Sequence, residues 1–233
     1  MKTAGYILLS AILIALTSPL VASTFIIRAR AGLNISQHYG IEYGYEEYEV
    51  EKGIRWGTSS GLAFDFPITD LLTVSQEFLY TNKGSRQQIG IMDQPIELDV
   101  FYKTDYLEFP TLLILHYYRK ENFALYYQTG FALSFMINAH YELQGIIETG
   151  TGEHNLDIDK KMKNIDQFDF GIILGGGMNF SLFERLLALD YRINFGIPFI
   201  DLPTTEDVFR NLENAPRVKL RNQSYSIFLS YFF

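Results

Sequence analysis

The chain has 233 residues and a formal charge of −8; 48% of it is hydrophobic and 15% aromatic, with 16 Tyr and 19 Phe against a single Trp. It contains no Cys, which excludes disulfides, Cys-ligated zinc, iron–sulfur clusters and a lipoprotein anchor. The acidic balance argues against a nucleic-acid partner, and a mean hydropathy of +0.03 is too high for disorder and too low for a helical membrane protein.

Lys2 supplies a short positive start, Tyr6 to Leu16 an apolar run, Thr17-Ser18-Pro19 a break, and Leu20-Val21-Ala22 or Val21-Ala22-Ser23 a small-residue cleavage site. Residues 1–22 therefore read as a secretory signal peptide, and 23–233 as one exported domain. The apolar run is shorter than the roughly 20 residues a spanning helix needs. Removing Lys2 with the leader makes the remaining chain one unit more acidic.

From Phe25 onward the sequence alternates in steps of two, as a half-buried strand does. Phe25, Ile27, Ala29, Ala31, Leu33 and Ile35 share one face; Arg28, Arg30, Gly32, Asn34 and Ser36 share the other. The same alternation runs over 54–66, 71–80, 106–117, 123–137, 168–178, 187–197 and 224–233, which makes eight strands. Pro67 to Asp70, Tyr118 to Asn122 and Phe180 to Glu184 form short connections, whereas the other four are long and polar. Short turns on one rim and long loops on the other predict an all-β, eight-stranded, antiparallel, up-and-down transmembrane β-barrel, with the short turns in the periplasm. A closed barrel also satisfies every backbone polar group, as lipid demands.

A soluble barrel has the same period with the faces exchanged, so the polar face decides. Here it mixes Gly, Ala and Ser with the isolated charges Arg28, Arg30, Arg55, Asp65, Glu77, Glu108, Asp169, Asp190 and Arg192. Small residues between charges suit the crowded lumen of an eight-stranded barrel, where unpaired charges would be costly and pairing is expected. The apolar face carries aromatics near strand ends (Phe25, Phe66, Tyr80, Tyr117, Phe123, Phe168, Phe195, Tyr231 and Phe233), as interfacial girdles do. The expected location is the outer membrane of a Gram-negative-type bacterium. Its partners would be outer-membrane lipids, with the barrel-assembly machinery during insertion.

Three segments carry a family resemblance: Glu77-Phe78-Leu79-Tyr80 with Lys83-Gly84, Asp105-Tyr106-Leu107-Glu108-Phe109-Pro110, and Phe168-Asp169-Phe170-Gly171 with Gly175-Gly176-Gly177. They resemble the third, fourth and sixth strands of the PorT-like outer-membrane β-barrel family. Asn222 to Ser226 and the terminal Phe233 resemble its last strand. The likeness spans the mature chain and implies the same fold and location. The family name points to protein secretion, but its motifs are structural rather than catalytic.

Candidate chemistry is thin. His38, His140 and His154 fall in the long connections and His116 near the periplasmic end of the fourth strand. His140 with Glu142, or His154 with Glu153 and Asp157, could start a hydrolase site, but no motif fixes a nucleophile. Gly175-Gly176-Gly177 lacks the following helix and Lys-Ser/Thr of a phosphate loop and reads as glycines relieving crowding. The first long connection is rich in Tyr and Glu: Glu42, Tyr43, Tyr45, Glu46, Glu47, Tyr48, Glu49 and Glu51. It reads as a solvated hairpin extension, with cation or partner binding as the sharper alternative. No catalytic site, cofactor or dedicated metal site is expected. The function expected is that of a non-enzymatic structural or interaction protein, with envelope or secretion proteins as its candidate contacts. The alternative is a narrow conduit or binding protein for a small solute or lipid.

Overall fold

A computed structural model describes residues 25–41, 48–91, 96–149, 152–162, 167–197, 200–202 and 218–233. The leader and Glu42, Tyr43, Tyr45, Glu46 and Glu47 lie outside them. Eleven strands form one antiparallel sheet: β1 (Ile26–Ile41), β2 (Tyr48–Gly53), β3 (Arg55–Pro67), β4 (Leu72–Ile91), β5 (Ile96–Lys120), β6 (Phe123–Thr149), β7 (Gly152–Lys161), β8 (Phe168–Leu182), β9 (Arg185–Gly196), β10 (Ile200–Leu202) and β11 (Val218–Phe232).

Eight of these make a ring. Pairing runs β1-β3-β4-β5-β6-β8-β9-β11, and β11 closes onto β1 from Arg28↔Phe232 to Ile41↔Lys219. The ring strands are the eight alternating segments of the sequence, and the three short connections fall where the composition breaks. β2, β7 and β10 lie off the ring, pairing with β4, β6 and β11 respectively.

The long connections differ from expectation. His38 to Ile41 belongs to β1 and Tyr48 to Lys52 to β2. β4, β5 and β6 likewise continue far into stretches read as loops, so much of the supposed loop is a raised wall of sheet.

That wall exchanges its faces. At membrane level Leu107, Leu113, Leu115, Phe131 and Phe135 point outward and are exposed, while Glu108, Gln128 and Ser134 point inward and are buried. Above it, Leu98, Val100, Tyr102, Tyr106, Met136, Ala139, Tyr141, Leu143 and Met162 form a buried apolar cluster inside. Outside it, Arg86 pairs with Asp99 and Lys103 with Glu142. On β5 the exchange needs no irregularity, because Asp105 precedes Leu107 on the same face. On β6 it coincides with a bulge: Asp105 pairs with Asn138 and Tyr106 with Met136, which leaves Ile137 as the extra residue. One added residue reverses the parity of everything beyond it.

The lipid face is bound together by rings. Phe64, Phe78, Phe109, Phe135 and Phe168 contact one another in sequence across β3, β4, β5, β6 and β8, at centroid distances of 5.7, 5.6, 6.0 and 5.6 Å, all edge-on. At the turn rim Phe25 meets Phe66 and Tyr117 stacks on Tyr127.

Candidate functional site: the charged lumen

Inward charges two residues apart fall on consecutive rungs, and small neighbours across the ladder let them reach inward. Arg28 stands beside Ala63, Arg30 beside Gly61 and Ser230, Asp190 beside Gly177, and Arg192 beside Gly175 and Ser226. A Cβ on Gly177 would lie 2.6 Å from the Tyr126 hydroxyl, and one on Gly175 would lie 3.2 Å from Cγ of Arg192. These glycines make space for side chains, as their sequence context suggests.

Glu77 is the hub. It is fully buried and takes both terminal nitrogens of Arg192, at 2.6 and 2.8 Å, together with a direct contact from Arg30. Arg30 also donates to Asp190 at 2.5 Å, which accepts from the Tyr126 hydroxyl and from Gln128 at 3.2 Å. Arg28 holds Asp65 with Nη2 at 2.9 Å from Oδ1 and Nε at 2.7 Å from Oδ2. The Phe228 ring lies 4.6 Å from the Arg30 guanidinium and 5.1 Å from that of Arg192, and so closes the cluster on the β11 side. The network thus joins β1, β3, β4, β6, β9 and β11 across the lumen.

A second layer lies above. Lys83 pairs with Glu108, which also accepts from Ser134 at 3.2 Å. Asp169 accepts from Asn222 at 2.8 Å rather than from an arginine, and Asn222 also donates to the Tyr106 hydroxyl at 3.0 Å. Half-buried Arg55 turns inward to the Lys83 carbonyl. Arg28, Arg30, Asp65, Glu77, Glu108, Asp169, Asp190 and Arg192 are buried inside the ring, Arg55 is half-buried beside them, and Lys83 joins them. With Lys83, five cations stand against five acids.

Among the described residues the histidines are not brought into a catalytic constellation. His38 is a lumen residue rather than a loop residue: it is buried, with Nδ1 2.6 Å from the Ser85 hydroxyl. That is nucleophile–base spacing, but Nε2 of His38 is buried without a partner where an orienting acid would stand. His140 contacts Asp159 at 3.2 Å, and Glu142 turns to Lys103 instead. His154 lies opposite Ile147 in the β6–β7 pair. Of the Tyr- and Glu-rich connection, Tyr48, Glu49 and Glu51 belong to β2, with Glu51 exposed. Among the described residues no group of three or more His, Asp or Glu is placed to hold a metal ion.

The model of the outer membrane protein beta-barrel domain matches residues 18–200, which is most of the chain. The chain belongs to that family. Its place in the outer membrane follows, with the apolar band of this barrel in lipid. Solved outer-membrane barrels are similar to it at low identity. Neisserial surface protein A is 14% identical over 91% of this chain and 100% of its own, with a TM-score of 0.40. OprG from Pseudomonas aeruginosa is 10% identical over 91% and 96%, with a TM-score of 0.43. Ail, the attachment invasion locus protein of Yersinia pestis, is 11% identical over 91% and 100%, with a TM-score of 0.36. No curated protein matches the chain.

Proposed function

We propose that this barrel is a non-conducting, non-enzymatic outer-membrane protein that presents its raised wall and its acidic, Tyr-rich first connection to partners at the cell surface. The observation that carries this reading is the Arg30–Glu77–Arg192 bridge, with Asp190 and Tyr126 beside it. Buried ion pairs of this kind hold because separating them leaves charge uncompensated in a low-dielectric interior. The apolar cluster behind the outer wall adds a second obstruction. A narrow conduit would require both layers to part. The PorT-like motifs extend the proposal to contact with envelope or secretion proteins, since Glu77, Lys83, Glu108 and Asp169 within them serve to fill the lumen and leave the outer surface for recognition.

Planar-bilayer recording of the purified barrel tests the closed lumen. The expected record shows no discrete conductance above the lipid background. Stable channel openings in the native protein would overturn the reading.

A further inference from the structure

The lumen is not filled to its periplasmic end. Below the Arg28–Asp65 pair a cavity of about 410 Å³ opens between the short turns, within the ordinary range of small-molecule sites. Its polar lining comprises Arg28, Asp65, Asp70, Thr73, His116 and Asn179, with Arg119 and Tyr126 at its side. Ile26, Ile68, Leu186 and Phe232 supply an apolar lip.

The polar groups have unequal commitments. Arg28 and Asp65 are paired through two contacts, and the Tyr126 hydroxyl is given to Asp190. His116 is only 7% exposed, yet its Nδ1 has no hydrogen-bond partner, and the same is true of the buried Oδ1 of Asn179. Arg119 brings its positive charge towards His116 from the end of β5, whereas Asp70 lies on the β3–β4 turn. Neither Arg119 nor Asp70 forms an ion pair with any described residue. The cavity therefore offers one free cation beside an unsatisfied imidazole, one free anion on another turn, and apolar surface at the lip.

We infer that this vestibule binds a small zwitterion with an apolar side group, of the amino-acid class. Its carboxylate would lie against Arg119 and His116, its ammonium against Asp70, and its side group on Ile68, Leu186 and Phe232. A simple anion would leave Asp70 facing it, and a simple cation would leave Arg119 facing it. Only a ligand with both charges satisfies the two together. The inference does not depend on whether the lumen conducts.

Calorimetry on the barrel in phosphatidylcholine nanodiscs, with L-leucine as probe, tests it. Saturable binding is expected, weakened about tenfold or more by Arg119→Gln and by Asp70→Asn, as loss of one charge-assisted contact predicts. Both residues are exposed, one at the end of β5 and one in a turn, and unchanged heat-modifiable mobility on gels would confirm that the variants fold. The isosteres 4-methylpentanoate, which lacks the ammonium, and 3-methylbutylamine, which lacks the carboxylate, should each bind at least as weakly as leucine does to the matching variant. Absence of saturable leucine binding to the native barrel would overturn the inference. So would 4-methylpentanoate binding as tightly as leucine while Asp70→Asn changes nothing.

Discussion

At the scale of single residues, Glu77 is the side chain on which most depends. Three guanidinium groups surround it, those of Arg28, Arg30 and Arg192, the first at 4.0 Å. Glu77→Ala leaves this positive charge buried with Asp190 and Asp65 as its only nearby compensation. The expected loss is about 3–5 kcal/mol, the range for breaking a buried pair from one side. Urea unfolding in lipid, followed by the heat-modifiable gel shift, would measure it. A loss below about 1 kcal/mol would mean that water reaches the cluster. Glu142 is the contrasting case, because it lies on the outer wall above the apolar band. Its hydrogen bond from Lys103 holds its carboxyl below the usual carboxylate value. A depressed folded value means that the pair contributes stability above the ordinary value near 4.5 and loses it as pH falls through the lower, folded value. The pair is partly exposed, so the effect is small. Thermal unfolding should place Glu142→Gln slightly below the native protein at pH 7, and the two should converge at strongly acidic pH. A gap that widens on acidification would contradict the pairing.

At the scale of elements, period-two alternation located all eight ring strands and the facing of Arg28, Arg30, Asp65, Glu77, Glu108, Asp169, Asp190 and Arg192. It failed where the physical reason for alternation changes. Beyond Tyr80, β4 reads Thr81-Asn82-Lys83-Gly84-Ser85-Arg86-Gln87-Gln88, polar on both faces because it leaves lipid while its inner face still lines the lumen. Lys83 and Ser85 were lost there, and with them the partners of Glu108 and His38. On β5, residues 98–105 do alternate, but with apolar side chains inward, the sense opposite to that of the membrane segment. On β6 the bulge at Ile137 interrupts the count itself. The bulge gives a sharp prediction, and the Cys-free chain makes it easy to test. In the native background a membrane-impermeant maleimide should label Glu142→Cys and spare Leu143→Cys. Deleting Ile137 should remove the bulge and leave this pattern as it is, because Asn138 then follows Met136 in unbroken alternation opposite Asp105 and Tyr106. Exchanged labelling after the deletion would show that pairing with β5 does not set the facing of the wall. Gly84 is a second constraint on this wall. Its φ is +150°, and a Cβ would stand 1.8 Å from the Tyr102 carbonyl oxygen, so Gly84→Ala should disturb the β4–β5 pairing.

At the scale of the whole molecule, the barrel is a lipid-facing cylinder carrying a sheet whose polarity is that of a soluble protein. The apolar outer band fixes its depth. On β3 this band runs from Trp56 to Phe66, with Leu62 near its middle, exposed to lipid. Leu62→Arg should cost about 2–4 kcal/mol, as cations at the bilayer midplane of such barrels do. The same change at Trp56, at the outer edge of the band, should cost about 1 kcal/mol or less through charge alone. Equal costs at the two depths, measured by urea titration in vesicles, would mean that the barrel sits differently in the bilayer. Sequence alone conveyed this class and its location, because lipid and lumen impose opposite demands on alternate residues. It did not convey the vestibule, since Asp70, His116, Arg119 and Asn179 come from three strand ends that only ring closure brings together.

The raised wall is one-sided. β4, β5, β6 and β7 rise together, whereas β8 begins at Phe168, still within the lipid-facing band. Ten residues of β5 above Leu107's neighbour Tyr106, from Ile96 to Asp105, amount to about 34 Å of strand, against the few residues by which β1 overtops its apolar face. Among the described residues, then, the mouth of the barrel is screened on one flank and low on the other. A large body at the cell surface would meet the barrel from a preferred compass direction, and on the screened flank it would touch the ion-paired outer side, since the apolar inner side is already buried.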